Sequence, residues 1–256
     1  ISAVIKALTE PGDKVLIQTP VYNCFFTSIR NNGCSAAENP LVRKGDTYEI
    51  DFDDFERQAA DDRTKVFLLC NPHNPAGRVW TVDELSRMND ICLKHNVKVI
   101  ADEIHCELIM PGYHYMPFAS LSEECQNNTV TTNSPTKSFN IAGLQIANII
   151  TSNEEMRRKI DRAININEVC DVNPFGVVAL QAAYNESEDW IDQLNEYLWG
   201  NYQALKSFFN EQLPQWEVLR LEGTYLVWID IHSTGMSSKE LSKKLLHDGK
   251  VFVNRG

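Results

Sequence analysis

Three apolar runs stand out in the first hundred residues, at positions 14 to 18 (Lys-Val-Leu-Ile-Gln), 66 to 70 (Val-Phe-Leu-Leu-Cys) and 97 to 101 (Val-Lys-Val-Ile-Ala). They are short, rich in Val, Ile and Leu and almost without polar alternation, which is the pattern of strands buried on both faces. Between the last two the period changes. Thr81-Val82-Asp83-Glu84 is a capping-box signature, and Leu85, Met88, Ile91 and Cys92 follow at helical spacing as far as His95. Strand, helix and strand in this order form a βαβ unit, whose strands run parallel.

Further strands are expected at 129 to 133 and 146 to 151. From Trp190 to Leu213, Ile191, Leu194, Leu198, Leu205 and Phe208 recur at roughly helical intervals and predict one long amphipathic helix, suited to bridging two domains. Beyond Pro214 the texture shifts to strands at Trp216 to Arg220 and Thr224 to Ile231, then a helix from Ser237, as in a small α+β unit. The chain opens inside an apolar-periodic segment (Ile1, Val4, Ile5, Leu8) that stops at Pro11-Gly12, and closes on Val251-Phe252-Val253, which reads as a strand. It is therefore read as a fragment, with no internal repeat and no low-complexity tract.

Composition narrows the function. With 256 residues, 43% hydrophobic and 23% charged, the chain has enough core for one large domain and part of another. A net charge of −11 argues against nucleic acid or an anionic membrane as partner, since both demand clustered Lys and Arg. No apolar stretch approaches the roughly 20 residues that span a bilayer, and no leader sequence opens the chain, so a soluble cytoplasmic protein is expected. The seven cysteines (Cys24, Cys34, Cys70, Cys92, Cys106, Cys125, Cys170) are odd in number, dispersed and without a Cys-x-x-Cys pair. That pattern predicts reduced thiols and neither a disulfide framework nor a zinc site.

Three polar clusters each follow directly on a predicted strand: Asn71-Pro-His-Asn-Pro-Ala-Gly77, Asp102-Glu-Ile-His105 and Ser134-Pro-Thr-Lys137. Each alone has an ordinary explanation. The first is rich in turn formers, Asp102 could cap the segment after it, and a single lysine is usually a solvated surface group. Their shared position matters more, because α/β sheets bind ligands at the carboxyl ends of their strands.

The strings Asn-Pro-His-Asn-Pro-Ala-Gly-Arg-Val-Trp from 71, Ala-Asp-Glu-Ile-His from 101 and Ser-Pro-Thr-Lys-Ser-Phe-Asn-Ile-Ala-Gly-Leu-Gln from 134 resemble the class I/II aminotransferase superfamily of fold-type I pyridoxal-phosphate (PLP) enzymes. Within it they are most similar to the MalY/PatB-type cystathionine β-lyase group. Pro20-Val21-Tyr22 and the segment from Glu222 to Trp228 extend the likeness over essentially the whole chain. The resemblance implies a three-layer αβα, aspartate aminotransferase-like large domain over 1–185 with a mostly parallel sheet. It further implies a connecting helix over 186–212 and the start of a small α+β domain over 213–256.

It also implies roles. Lys137 forms the Schiff base with PLP and then moves the Cα proton, and Asp102 pairs with the pyridine nitrogen so that the ring accepts carbanion electrons. Asn74 bonds the ring's phenolic oxygen, with His105 at a position often held by a Tyr of the same duty. Tyr22 stacks on the ring and Ser134 contacts the phosphate. Many aminotransferases carry an Arg eight residues after the lysine, where this chain has Gln145, as the β-lyase group tends to. The expected activity is carbon–sulfur β-elimination from cystathionine or cysteine-type amino acids, in a homodimer. An amino-acid aminotransferase is the alternative, and a regulatory binding protein that retains the fold is a second.

Overall fold

The structure, a computed structural model, describes every residue except Asn167, Val169 and Cys170. The chain runs α1 (Ser2–Leu8), β1 (Lys14–Thr19), α2 (Cys24–Asn31), β2 (Ser35–Pro40), the short hairpin β3 (Val42–Lys44) and β4 (Thr47–Glu49), α3 (Phe52–Ala59), β5 (Thr64–Cys70), α4 (Val82–Lys94) and β6 (Lys98–Asp102). It continues with α5 (Glu123–Asn128), β7 (Thr129–Asn133), β8 (Asn148–Ile150), α6 (Glu154–Asn165), α7 (Pro174–Glu186), α8 (Glu188–Gln212), β9 (Glu217–Val218), β10 (Ile229–Asp230) and α9 (Ser238–Asp248).

Six strands form one sheet in the order β2-β1-β5-β6-β7-β8. All neighbours run parallel except β8, which lies antiparallel on β7. Because side chains alternate across a strand, β5 serves two cores. Val66, Leu68 and Cys70 face α1, α2 and α6 through Val4, Ile5, Phe25, Ile29, Met156 and Ile160. Phe67 and Leu69 face α3, α4 and α5 through Phe55, Leu85, Met88, Cys92 and Cys125. The unbroken apolar runs are thus explained by helices on both faces, the three-layer αβα arrangement.

Local chemistry sets the element ends. Thr81 and Glu84 form the expected capping box of α4, and Ser237 with Glu240 forms another at α9. The long helix α8 spans nearly the segment read from periodicity, and its Tyr202 packs with Met110, Val218 and Leu221 in a third, smaller core. Beyond α8 the expected strands shrink to the two-residue pair β9 and β10, joined antiparallel at Val218 and Ile229.

Residues 251 to 253 are not a strand. A strand exists only with a partner for its backbone groups, and none pairs with this segment among the described residues; Phe252 is 76% exposed. Cys24, Cys34, Cys70, Cys92, Cys106 and Cys125 are free, and Cys170 lies outside the described residues. No described helix is long and apolar enough to cross a membrane.

Candidate active site

The chain leaves β1 for β2 on one side and returns to β5 on the other, so the loops after β1 and β5 diverge at the carboxyl edge of the sheet. Such a switch point leaves a crevice that neighbouring elements do not fill. Tyr22 lies in the first loop and Asn74 in the second, while Asp102 ends β6 and Lys137 follows β7 by four residues. In-register pairing aligns Cys70 with Asp102 and Asp102 with Thr132, which brings the three clusters to one edge.

Asp102 is the electrostatic centre. Burial pushes its carboxyl up to about 6, opposed by a long 3.4 Å bond from the Ile104 N–H and by the positive charge of Lys137. His105 is 2% exposed and held down at about 4, by burial first and then by the Lys137 ammonium. Lys137 is half-buried; it follows β7, whose Thr132 pairs with Asp102, and its charge lowers the pKa of both Asp102 and His105. Among the described residues, the buried His105 Nδ1 has no hydrogen-bond partner.

Tyr22 keeps 42% of its surface exposed. Its phenol is raised to about 12, first by the neighbouring Cys24 thiol and then by burial and the charges of Asp102 and Tyr225. Tyr225 packs edge-on to His105, with ring centroids 5.5 Å apart. Tyr225 lies in the segment from Glu222 to Trp228 that extends the family likeness, and an aromatic two residues after Gly223 is the one signal of it in the sequence.

Two expected residues are placed less directly. Asn74 is half-buried, with its backbone N–H on the Cys70 sulfur at 3.4 Å. Ser134 is buried, and its hydroxyl bonds the Ile146 carbonyl at 2.5 Å and accepts the Thr136 N–H at 3.1 Å. That hydroxyl is turned inward. Gln145 is exposed and left-handed, with φ +51°.

The profile of the aminotransferase class I and II family matches residues 1–256. The chain belongs to that family. It is 39% identical to cystathionine beta-lyase PatB of Bacillus subtilis (strain 168) over 256 residues, all of this chain but 66% of the relative. Among solved structures it superposes on cystalysin from Treponema denticola, which contains a pyridoxal 5'-phosphate cofactor, with TM-score 0.96 and 37% identity, over 99% of this chain and 65% of that one. A PLP-bound putative aminotransferase from Clostridium difficile 630 matches with TM-score 0.96 and 42% identity, over 100% of this chain and 66% of that one. The chain therefore spans just under two thirds of the length of these relatives.

Within this family member the buried histidines make stability pH-dependent. His73, 1% exposed, is held at about 4 by burial, although its Nε2 lies 2.9 Å from the Pro20 carbonyl. A base whose folded pKa lies below its ordinary 6.5 takes its proton first in the unfolded chain, so stability is lost as pH falls from about 6.5 toward about 4. Asp102 has the opposite sign, since its folded value of about 6 exceeds the ordinary 3.8 and protonation over that window favours the folded chain. Buried Glu103, also raised, acts the same way. Comparison with a variant isolates one histidine. Between pH 7 and pH 5 the wild type should lose about 2 kcal/mol more than His73→Phe, read from urea unfolding at each pH. Parallel profiles would show that His73 is not held neutral.

Proposed function

We propose that the full-length protein is a PLP-dependent carbon–sulfur β-lyase, taking cystathionine, cysteine or related S-substituted cysteines to a thiol, pyruvate and ammonia. The observation that carries this reading is the convergence of Lys137, Asp102 and His105 at the carboxyl edge of the sheet, in a chain similar to PatB and cystalysin.

The residues suit the cofactor. Asp102 is a carboxylate in a place that disfavours its charge, and among the described residues one 3.4 Å bond supports it; a protonated ring nitrogen is the partner that such a group lacks. The unpaired buried nitrogen of His105 is a polar atom awaiting a ligand. Tyr22 offers an exposed aromatic ring beside Asp102. When bound, PLP supplies a ring that accepts the electron pair left on the substrate's Cα.

Lys137 is the residue that would attach the cofactor and, when free of it, would take the Cα proton. Asp102 keeps the proton on the ring nitrogen, a charge-assisted contact worth about 1.5–3 kcal/mol. Asn74 and His105 address the phenolic oxygen, and His105 does so as a neutral ring because burial and Lys137 keep it unprotonated. Tyr22 covers the pyridine face. Ser134 is the residue that would contact the phosphate, for which its hydroxyl would have to leave the Ile146 carbonyl that it bonds here. With Cα deprotonated, the Cβ–S bond would break with its electron pair leaving on sulfur, the proton taken from Cα would be available to the departing thiol, and water would hydrolyse the remaining enamine to pyruvate and ammonia.

A transaminase shares the first proton transfer and diverges afterwards, so the deciding experiment omits the amino acceptor. Full-length protein given cystathionine should form pyruvate with no keto acid added; strict dependence on a keto acid would make it an aminotransferase. The reading also implies a homodimer. Helix α7 is apolar on most sides yet leaves Phe175 75% and Val178 65% exposed, a surface suited to cover by a second copy. Free thiols accord with a cytoplasmic location.

A further inference from the structure

The peptide that carries Lys137 is gripped by groups outside the crevice. Ser138, the next residue, is fully buried, and its hydroxyl donates to Glu107 Oε2 at 2.7 Å. Its carbonyl accepts the Trp190 indole N–H at 2.9 Å. Glu107 is itself tied, since its carbonyl accepts the Asn195 Nδ2–H at 2.9 Å. Trp190 and Asn195 belong to the first two turns of α8. Glu107 lies two residues after His105 and five after Asp102, on the turn that follows β6.

Ser138 thus joins three bodies: the lysine segment, the Asp102–His105 turn and α8. A hydroxyl bonded to a carboxylate is stronger than a neutral pair, and here the hydroxyl is completely shielded from water. Burial raises the neighbouring Cys106 thiol, and the Glu107 charge adds to that rise; burial and then Glu107 raise the Tyr184 phenol in the same way. The carboxylate therefore acts on a half-buried cluster beside the lysine segment, with Ser138 at its buried centre.

We propose that Glu107 and Ser138, locked by Trp190 and Asn195, are positioning residues that hold Lys137 against Asp102 and His105. The inference rests on the reading of Lys137 as the reactive lysine. The clamp touches no substrate. It acts through Lys137, whose displacement by as little as about 1 Å can cost a large factor in rate.

The test uses the full-length protein and two independent readouts. In cofactor-free protein, acetic anhydride labelling of Lys137 is measured by mass spectrometry against an exposed lysine such as Lys44. Ser138→Ala and Glu107→Ala should raise the Lys137 ratio by on the order of tenfold, while Glu107→Gln, which keeps an acceptor for the hydroxyl, should restore most of the difference. In cofactor-loaded protein the same two alanine variants should lower kcat by on the order of tenfold with KM within about twofold.

Trp190→Phe keeps an aromatic side chain while removing the indole N–H donor, so it replaces Ser138→Ala should that variant not fold, with the same expectations. Unchanged labelling in folded alanine variants overturns the proposal, as does a Glu107→Gln variant no better than Glu107→Ala. If the wild type never shows cofactor absorption while the labelling still responds, the lyase reading fails and the clamp stands.

Discussion

Lys137→Ala in the full-length protein is expected to abolish borohydride-fixed cofactor at position 137 and to lower the rate of pyruvate formation by about 10⁴-fold. A positioned general base alone contributes roughly 10²–10⁴-fold, and this lysine is assigned the covalent attachment as well. Its charge has a second effect, which a companion variant separates. The Lys137 ammonium holds down both the Asp102 carboxyl and the His105 ring. In the alanine variant Asp102 therefore rises further above its present value of about 6, and His105 is released upward from about 4. Lys137→Arg preserves the charge and so leaves both neighbours near their wild-type state, yet it cannot serve as a neutral base near neutral pH. If both variants lose the rate equally while only the alanine variant changes the titration of His105, followed by NMR in cofactor-free protein, the loss is chemical and not electrostatic. Retention of more than about a tenth of the wild-type rate by either would remove Lys137 from its proposed role.

The parts of the fold that were legible in the sequence are those where burial is two-sided or an end is chemically marked. Runs such as 66 to 70 are apolar at every position because helices cover both faces of β5, and α4 announces itself through Thr81 and Glu84. The strand β2 (Ser-Ala-Ala-Glu-Asn-Pro) was invisible for the complementary reason: it is the sheet's edge, with Ala37 and Asn39 as its buried positions, so no apolar run exists to find. The hairpin of β3 and β4 carries Arg43, Lys44 and Glu49 and has no buried face to impose a pattern. In the site, Asp102 and Lys137 were legible because each ends or closely follows a readable strand. Tyr225, Glu107 and Trp190 were not, since each is defined by a partner far along the chain: Tyr225 by His105, Glu107 by Ser138, Trp190 by the Ser138 carbonyl. Spacing rules act within an element and carry no information about such meetings.

Glu222→Ala is expected to destabilise the full-length protein by about 3–5 kcal/mol, the largest effect on stability outside the apolar core. Its Oε2 accepts from Arg78 Nε and from the Val79 N–H, each at 2.9 Å, and both charged side chains are less than a tenth exposed. Removing it strands a buried N–H, worth about 1–3 kcal/mol, and takes one of two carboxylates from a buried guanidinium. Glu84 remains on Arg78 at 2.9 Å, the Tyr48 carbonyl still accepts from it, and the Trp80 ring lies 4.7 Å away, so the cost should fall toward the lower end. Asp46→Ala is the contrast: its pair with Arg220 is 44% and 32% exposed, and such solvated pairs contribute at most about 1 kcal/mol. The consequence reaches the crevice. The backbone N–H groups of Glu222 and Gly223 both donate to the Gly77 carbonyl, at 2.8 and 3.1 Å. Gly77 holds φ +70°, a left-handed conformation that a side chain would strain, and it closes the loop bearing Asn74. Loosening this junction should therefore weaken cofactor retention as well as raise sensitivity to urea, with the unfolding slope unchanged. A loss below about 1 kcal/mol would mean that Arg78 is adequately satisfied by Glu84 alone, and that the segment after α8 does not hold the Asn74 loop in place.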